Sequence, residues 1–468
     1  MIFTLSKDQV EEKLNRGEVS IAVYGLGRVG LPLAVAWLRA GQNVIGVDIN
    51  PSIVDKINSG ISPITDEPLI PESVKKFVSE GKFHATTDLI KASQESEAKF
   101  IAVPTTLTEE KKFNGRALES ALRSIGGGLK RGDAVSIECS VPPTTTTNLA
   151  KPLLEKESGL KAEEDFALGV SPERIYEGRV LEDLEGRYPK VVGGIGPRST
   201  ELFATLWGRV ARKGVVKMSS STAAELSKLF EGVYRDVNIA LANELGGLCQ
   251  AFGVDFMEAR AAANSQPFCD LHRPGVGVGG LCIPIYPYFV AEKAEEKDVP
   301  LNLTRMARAI NEEMPKNTVS LVQKALESVG LRLKDTKVAI LGLAFRGNVA
   351  DSRLSPTYEL VQQLRLQAAE VVVQDPYIKI DKTLEAIGVP LLESVENAVK
   401  EASAIIVATD HEDYTKLDLA KLVKLARSPT ILLDGRGIID LRKVPAGTYF
   451  TGIGRPTIKL LDKESKGG

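Results

Sequence analysis

The sequence predicts an α/β protein in which two parallel-sheet domains are joined by a central helical segment. Two stretches share one order of strand, glycine turn, helix and second strand: SIAVYGLGRVGLPLAVAWLRAGQNVIGVDIN (20–50), and KVAILGLAFRG with LSPTYELVQQLRLQAAEVVVQDPY (337–377). β-Branched strands that enter glycines, with Leu- and Ala-rich helices after them, are typical of βαβ units. Each second strand ends in an acid, Asp48 or Asp375. These repeats predict one Rossmann-like domain near each end of the chain.

Further apolar runs extend both predicted sheets. AKFIAVP (98–104), AVSIEC (134–139) and KVVGG (190–194) follow the first unit, whereas AIIVATD (404–410) and TILLDG (430–435) follow the second. Short apolar runs bounded by polar segments predict buried strands. We therefore assign residues 1–212 and 321–468 to the two α/β domains and residues 213–320 to the central segment.

The central segment has helical periodicity. Apolar residues at steps of three and four predict one face of a long helix; they are Leu226, Leu229, Val233, Val237, Leu241, Leu245 and Leu248. Thr222 and Glu225 have the spacing of a capping box at its start. Pro315 predicts a kink or break in the helix that follows. The polar tail LLDKESKGG (460–468) is expected to be frayed.

Composition excludes several classes of function. Hydrophobic residues make up 43% of the 468 residues and charged residues 26%, the balance of a globular protein. The 59 Lys and Arg against 61 Asp and Glu give a net charge of −2, so we expect no nucleic-acid or membrane partner. No membrane span or signal peptide is predicted. Four cysteines and three histidines without ligand spacing predict reduced thiols and no metal site.

The first glycine turn has the features of a dinucleotide site. Gly25 permits the tight turn, Gly27 lets the backbone approach a pyrophosphate, and Gly30 lets the helix pack on the strand. The helix N-terminus supplies N–H groups for phosphates. Asp48 would accept ribose hydroxyls and repel a 2′-phosphate, which favours NAD over NADP. The alternative is a glycine turn that binds no cofactor.

Cys282 is the candidate nucleophile, because four glycines precede it in HRPGVGVGGLCIPIYPYF. A thiolate on such an open backbone could attack a carbonyl carbon. The alternative is a buried cysteine that only fills space. Lys228, off the apolar face of the predicted helix, could stabilise a developing oxyanion. Alternatively, it is a solvated surface lysine.

Three further polar residues are candidates for the site. Glu173 and Glu177 in SPERIYEG would share a face if this segment is helical, which Pro172 at its first position allows. Paired carboxylates there could hold water or ligand hydroxyls, although exposed glutamates are common. Ser140, after the strand AVSIEC, could donate to a ligand or only shape the turn before two prolines.

In these motifs the sequence resembles the UDP-glucose/GDP-mannose dehydrogenase family over nearly its whole length. The matching blocks occur in the family's order: GLGRVGLPLA, VPT, ECSVPP, SPERIYEG, PKVVGG, AELSKLFEGVYRDVNIALANE, PGVGVGGLCIP, LGLAFRGNVADSRLSP, DPY and DGRG. YRDVNIALANE and GVGGLCIPIYPYF look most like the UDP-N-acetylmannosamine dehydrogenases, whereas Glu177 is more like the UDP-glucose branch.

The resemblance implies an NAD-binding domain over residues 1–212, a central dimerisation and catalytic segment over 213–320, and a nucleotide-sugar-binding domain over 321–468. It implies oxidation of a UDP-sugar C6 alcohol to a uronic acid in two hydride transfers, with two NAD⁺ and one water. We expect a cytoplasmic homodimer whose product feeds polysaccharide precursor synthesis.

The resemblance also implies roles for individual residues. Cys282 would form a thiohemiacetal and then a thioester, Lys228 would stabilise the oxyanion, and Glu173 with Glu177 would line the site and order water. The positions that align with NAD contacts are Gly25, Gly27, Val29, Gly30, Asp48, Thr105, Ser140 and Arg353. The positions that align with nucleotide-sugar contacts are Arg273, Gly279, Gly280 and Arg346.

Two departures from the family pattern bear on the chemistry. Gly232 stands where the family has Asn, four residues after the lysine, and Tyr286 stands where it has Asp, four residues after the cysteine. A phenol with a pKa of ~10 is a poor base near neutral pH. The alternative hypothesis is therefore a catalytically impaired or silent paralogue that binds nucleotide sugars. The second α/β domain argues against a simple hydroxyacid dehydrogenase.

Overall fold

The computed structural model describes residues 1–460 and consists of two compact units. The first unit contains Met1–Glu231 and Tyr288–Val299, and the second contains Gly232–Pro287 and the chain from Pro300 onward. Residues 213–320, the expected central segment, therefore contribute to both units. Of the tail predicted to be frayed, residues 461–468 lie outside the described residues.

Strands and helices alternate through most of the chain. The strands are β1 Ser20–Tyr24, β2 Asn43–Val47, β3 Phe83–Thr86, β4 Ala98–Ile101, β5 Thr106–Leu107, β6 Phe113–Asn114, β7 Ala134–Ile137, β8 Ala167–Val170, β9 Lys190–Gly194, β10 Val215–Lys217, β11 Lys337–Leu341, β12 Glu370–Gln374, β13 Leu391–Leu392, β14 Ala404–Val407, β15 Ile431–Asp434, β16 Tyr449–Gly452 and β17 Arg455–Lys459. The helices are α1 Lys7–Arg16, α2 Gly30–Arg39, α3 Pro51–Asn58, α4 Ile70–Ser79, α5 Leu89–Glu95, α6 Arg116–Gly128, α7 Lys151–Ser158, α8 Val180–Glu182, α9 Pro197–Gly208, α10 Ser221–Ala251, α11 Phe256–Ala263, α12 Tyr286–Glu295, α13 Asn302–Glu327, α14 Pro356–Leu366, α15 Lys382–Ala386, α16 Val395–Val399, α17 Glu412–Thr415 and α18 Leu419–Leu425. Every strand predicted from an apolar run is present.

The first unit is built on a sheet in the order β10-β9-β8-β7-β4-β1-β2-β3. Within this sheet, β8, β7, β4, β1, β2 and β3 are parallel. The chain reverses its direction of winding between β1 and β4, which leaves a crevice at the carboxyl ends of these two strands. β9 instead runs antiparallel to β8, and β10 follows β9 in parallel. Apolar side chains fill both faces of this sheet.

The second unit repeats this plan in the order β13-β12-β11-β14-β15-β16-β17. Its strands are parallel except β17, which forms an antiparallel edge beside β16. The crevice of this sheet lies at the carboxyl ends of β11 and β14. Two buried apolar clusters cover its faces. The predicted fold class, two mostly parallel α/β domains joined by a helical segment, is confirmed.

The long central helix α10 begins differently from the sequence prediction. Ser220 Oγ accepts the Ala223 N–H at 3.2 Å, which places the cap before Ser221 rather than at Thr222. Glu225 consequently lies beyond the third helical position, and its carboxylate accepts the Thr146 N–H at 2.8 Å. The predicted capping box is therefore wrong.

Of the two effects predicted at Pro315, the break is wrong, whereas the kink stays a prediction. The helix α13, Asn302–Glu327, is continuous through this residue. A proline inside a helix costs about 3 kcal/mol. Burial of the helix face that carries Met314, Val319 and Val322 offsets this cost. Among the helices of residues 1–460, we find none long and apolar enough to cross a membrane.

Candidate active site

The first glycine turn, between β1 and α2, has an opening at Gly27. Gly25 has a φ of 90°, and a Cβ there would lie 2.6 Å from the Ala102 carbonyl oxygen. A Cβ at Gly30 would overlap the Gly25 carbonyl oxygen. A Cβ at Gly27 would meet nothing within 4 Å. The turn is therefore tight at its two ends and open in the middle, where a pyrophosphate is expected.

Asp48 follows β2 and joins it to the glycine turn. Its Oδ2 accepts the Leu26 N–H at 2.9 Å, and its Oδ1 accepts the Asn50 N–H at 2.9 Å. The carboxylate is only half-buried, and each oxygen can accept a second hydrogen bond. It can therefore hold ribose hydroxyls without breaking the turn.

Two more of the expected NAD residues meet at the ends of β4 and β7. Thr105 Oγ1 donates to the Ser140 carbonyl oxygen at 2.8 Å, and both residues are partly exposed. Val29 is the N-cap residue of α2 and belongs to the glycine turn itself. Arg353 belongs to the second unit. The first unit therefore brings the turn, Asp48 and the Thr105–Ser140 pair to one edge of its sheet.

Arg28 connects the glycine turn to two carboxylates, one just before α4 and one after β8. Its Nη1 lies 2.9 Å from Asp66 Oδ2, and its Nε lies 3.8 Å from Glu177 Oε1. The adjacent Glu67 accepts the Gly178 N–H at 2.6 Å. Glu177 is thereby held beside the turn, a position that its spacing in the sequence does not show.

The segment after β8 is not helical, so the condition under which Glu173 and Glu177 would share a helix face is not met. Ser171 Oγ donates to the Val191 carbonyl oxygen at 2.7 Å, and the Glu173 N–H donates to the Glu138 carbonyl oxygen at 3.0 Å. These bonds hold the chain between β7 and β9, so its backbone groups cannot form helical hydrogen bonds.

Glu173 is buried against Lys190, a residue that sequence analysis missed. Lys190 Nζ pairs with Glu173 Oε1 and lies 3.2 Å from Glu138 Oε2. Burial raises the pKa of Glu138 to about 8, with the charge of Lys190 lowering it and that of Glu173 raising it. The signal available in the sequence was a lysine at the start of the otherwise apolar run KVVGG.

Lys228 lies on α10 within the first unit. Its side chain is 12% exposed, which excludes the alternative of a solvated surface lysine. Its Nζ lies 3.9 Å from Glu231 Oε2, one turn further along the helix. A mostly buried ammonium group is the kind of cation that stabilises an oxyanion effectively, because water screens it little.

Cys282 is an exposed, reduced thiol in the second unit. Its carbonyl oxygen accepts the Ile285 N–H at 3.1 Å and the Tyr286 N–H at 3.0 Å, at the start of α12. The alternative of a buried cysteine that only fills space is therefore excluded. The backbone of the cysteine is fixed, while its sulfur is accessible to a ligand.

The glycines before Cys282 allow the loop of residues 345–354 to approach closely. A Cβ at Gly279 would lie 2.6 Å from the Leu354 carbonyl oxygen, and one at Gly280 would lie 2.8 Å from the Phe345 ring. The Gly280 N–H donates to the Arg353 carbonyl oxygen at 3.0 Å. Close approach of the 345–354 loop is thus one reason for these glycines, and their contact with a ligand stays a prediction.

Three arginines of the second unit could bind phosphate. Arg273 is exposed and Arg346 is half-buried. Arg353 Nε donates to Asp351 Oδ1 at 2.8 Å, which orients its guanidinium group. Gly279 and Gly280 lie beside the loop that carries Arg346 and Arg353. Arginine is well suited to such a site, because its planar fork matches phosphate oxygens.

The acid of the second glycine turn, Asp375, has different surroundings from Asp48 of the first turn. Asp375 is fully buried, its Oδ2 accepts the Leu343 and Ala344 N–H groups, and His411 Nε2 lies 3.1 Å away. Burial alone would raise the pKa of Asp375, but the hydrogen bond and charge of His411 and the backbone donors lower it overall. Because these groups occupy the carboxylate, it cannot serve a ribose as Asp48 can.

Known proteins match the chain along most of its length. Three models of the UDP-glucose/GDP-mannose dehydrogenase family match: the NAD binding domain at residues 19–211, the central domain at 222–313 and the UDP binding domain at 339–441. UDP-N-acetyl-D-mannosamine dehydrogenase of Pyrococcus horikoshii is 37% identical, over 93% of this chain and 99% of that protein. NDP-N-acetyl-D-galactosaminuronic acid dehydrogenase of Ralstonia solanacearum is 34% identical, over 91% and 98%. The solved structure of the P. horikoshii enzyme superposes on this chain with a TM-score of 0.86. It is 36% identical in sequence and covers 93% of this chain and 99% of its own.

Proposed function

Because the chain belongs to the UDP-glucose/GDP-mannose dehydrogenase family and is an NAD-dependent nucleotide-sugar dehydrogenase, we propose that it oxidises the C6 alcohol of a UDP-sugar to the uronic acid. The sugar is N-acetylmannosamine or a close relative, with UDP-glucose as the second choice. The observation that carries the proposal is the exposed thiol of Cys282, in the turn just before α12. A single-step alcohol dehydrogenase needs no such nucleophile.

The first unit fits NAD. The cradle at Gly27 has room for a pyrophosphate, and the half-buried carboxylate of Asp48 has acceptor capacity for ribose hydroxyls. The residues proposed to hold the cofactor are Gly25, Gly27, Val29, Gly30, Asp48, Thr105, Ser140 and Arg353. NAD⁺ supplies a hydride acceptor for each of the two oxidations.

Cys282 carries the second half of the reaction. After the first oxidation, its thiolate attacks C6 of the aldehyde to form a thiohemiacetal, which the second oxidation converts to a thioester. Attack of water on the thioester forms the carboxylate and returns the thiol. The sugar stays covalently bound between the two oxidations, so the reactive aldehyde does not escape.

Lys228, Glu173 and Glu177 support these steps. The ammonium group of Lys228 stabilises the negative oxygen at C6, and its low exposure strengthens this effect. Glu173 and Glu177 line the site and orient water. Arg273, Gly279, Gly280 and Arg346 would hold the nucleotide sugar, consistent with the UDP binding domain match that covers Arg346.

The proposed domain roles follow from the same motifs. Residues 1–212 bind NAD, residues 213–320 provide catalytic and dimer contacts, and residues 321–468 bind the nucleotide sugar. A homodimer is supported by an apolar row at seven-residue spacing on α10: Tyr234, Leu241 and Leu248 are 54%, 43% and 54% exposed. A second copy would cover this row. Sedimentation should give twice the mass of one chain, and Leu241→Glu should give one chain mass.

The proposed compartment is the cytoplasm, because a catalytic thiol must stay reduced. The product, a UDP-activated uronic acid, is a substrate for transfer into a polysaccharide or related glycan. Such transfer reactions consume nucleotide sugars that carry a carboxylate, and the oxidation supplies that charge.

A panel of nucleotide sugars tests the proposal. Purified protein with NAD⁺ should form NADH from UDP-N-acetylmannosamine with a higher kcat/KM than from UDP-N-acetylgalactosamine, UDP-glucose or GDP-mannose. A higher value for another sugar would reassign the substrate. Nucleotide-sugar binding in calorimetry with no NADH from any of them would favour the silent paralogue instead.

A further inference from the structure

Lys190 lies between two buried carboxylates at one edge of the first sheet. Its Nζ pairs with Glu173 Oε1 and is 3.2 Å from Glu138 Oε2, and the ring of Trp207 lies 4.0 Å from it. The side chains of Lys190 and Glu173 are each 6% exposed, and that of Glu138 is fully buried. The ammonium group therefore has a fixed place with a carboxylate on each side.

The topology of the sheet brings these residues together. β9 runs antiparallel to β8, with Val170 opposite Gly193. Continued by three residues, this register sets Glu173 opposite Lys190. In a parallel arrangement the first residue of β9 would lie at the other end of the sheet, far from the carboxyl ends of β4 and β7. The reversed strand thus delivers a lysine to the edge where the proposed cofactor residues lie.

Stability does not account for this cluster. Removing carboxylates and an ammonium group from water is unfavourable, and apolar residues of similar volume in their place often give a more stable protein. Ser136 Oγ donates to Glu138 Oε1 at 2.5 Å, so Glu138 has its own partner. With burial raising its pKa to about 8, Glu138 is mostly protonated near neutral pH. The charge of Lys190 is then directed mainly at Glu173.

Two other ionisable groups lie near Glu173, Arg174 as the next residue in the chain and Tyr188 in space. The guanidinium of Arg174 stacks 5.0 Å above the ring of Tyr188. Burial, and then the charges of Asp183 and Glu173, raise the pKa of Tyr188, so this phenol stays neutral. Arg174 also pairs with a different carboxylate, that of Glu231, at 3.2 Å. Lys190 is thus the cation that contacts the Glu173 carboxylate.

We propose that Lys190 is a positioning residue for the reaction: its ammonium group fixes the orientation of the Glu173 carboxylate, and Glu138 anchors that ammonium group from the other side. The inference deepens the proposed function, because Glu173 orders water there. A carboxylate that is free to rotate would order the water less often, so the rate should fall more than substrate binding.

Substitution of Lys190 tests the proposal in the full-length enzyme with NAD⁺ and UDP-N-acetylmannosamine. Lys190→Met should lower kcat about 10²-fold and change KM by less than about threefold. It removes the cation that favours the ionised carboxylates of this cluster, which therefore bind protons more tightly. The acid limb of the kcat–pH profile should therefore move up by about one unit. Lys190→Arg should recover most of the rate.

Lys99→Met is the matched control. Lys99 is also fully buried in the first unit and pairs with Asp133, away from Glu173. It should lose stability as Lys190→Met does, while keeping kcat and the pH profile of the wild type. Equal losses of kcat in the two variants, or an unchanged pH profile in Lys190→Met, would overturn the proposal. Lys190→Gln serves if the Met variant does not fold, with the same expected pH shift.

Failure of the proposed function would be recognised separately, because the wild type would then form no NADH. Hydrogen exchange of residues 171–178 still tests the positioning role in that case. Lys190→Met should speed exchange there about tenfold relative to Lys99→Met, since the Glu173 N–H in this segment donates to the backbone carbonyl oxygen of Glu138. Equal exchange in both variants would overturn the inference.

Discussion

The ring of Tyr286 packs directly on Gly232. A Cβ at Gly232 would overlap Cδ2 of the ring and lie 3.2 Å from the Tyr286 Cβ. Both residues are buried, and the Tyr286 N–H donates to the Cys282 carbonyl oxygen. The two positions that depart from the family pattern are therefore one feature, because the ring fits only where residue 232 has no side chain. This fit holds the start of α12, and with it the backbone of Cys282.

Gly232→Ala should destabilise the protein because of this contact. Overpacking a buried site typically costs about 1–3 kcal/mol, which exceeds the gain in helix propensity of about 1 kcal/mol. Urea unfolding would measure the change. Tyr286→Ala in the same chain should remove most of the overpacking, so the double variant should be less destabilised than the sum of the two single variants.

Gly247→Ala is the matched control on the same helix. A Cβ at Gly247 meets nothing within 4 Å, and the residue is exposed. This variant should be up to about 1 kcal/mol more stable than the wild type. Equal effects at residues 232 and 247 would show that Tyr286 does not limit the space at Gly232.

Asp48→Asn should weaken the preference for NAD over NADP. The amide keeps one acceptor for the turn but loses the charge that repels a 2′-phosphate. The ratio of kcat/KM for the two cofactors should fall at least about tenfold, which corresponds to about 1.4 kcal/mol. An unchanged ratio in a variant with the unfolding midpoint of the wild type would remove Asp48 from cofactor selection.

Glu225 should make stability depend on pH. Burial raises its pKa to about 7, although hydrogen bonds from Thr146 and Thr144 lower it in part. The folded state thus holds the proton more tightly than the unfolded state, where the pKa is about 4.3. The resulting stabilisation is complete below pH ~4.3 and is lost as the pH rises through about 7, an effect of roughly 4 kcal/mol.

Glu225→Gln should flatten this dependence, because the amide does not titrate. The free energy of unfolding of the wild type, relative to this variant, should fall steadily between pH 4.5 and 7.5. Parallel curves for the two proteins over that range would contradict the assignment.

The strand and helix pattern was predictable because apolar periodicity reports burial directly. It carries no strand direction, so neither the reversal of β9 nor the approach of Lys190 to Glu173 could be foreseen. The non-helical path of the chain at Glu173 depends on hydrogen bonds to Glu138 and Val191, which are distant in sequence. Likewise, the contact of Gly232 with Tyr286 joins two residues that local patterns do not relate. Long-range contacts therefore account for the features that sequence analysis missed.

The most direct test of the account is the amount of NADH formed per molecule of UDP-N-acetylmannosamine when the sugar is limiting. Two NADH per sugar and a uronic acid product are predicted for the wild type, with Cys282→Ala unable to reach this yield. A yield of one NADH per sugar, or two from Cys282→Ala at the wild-type rate, would contradict covalent catalysis by Cys282.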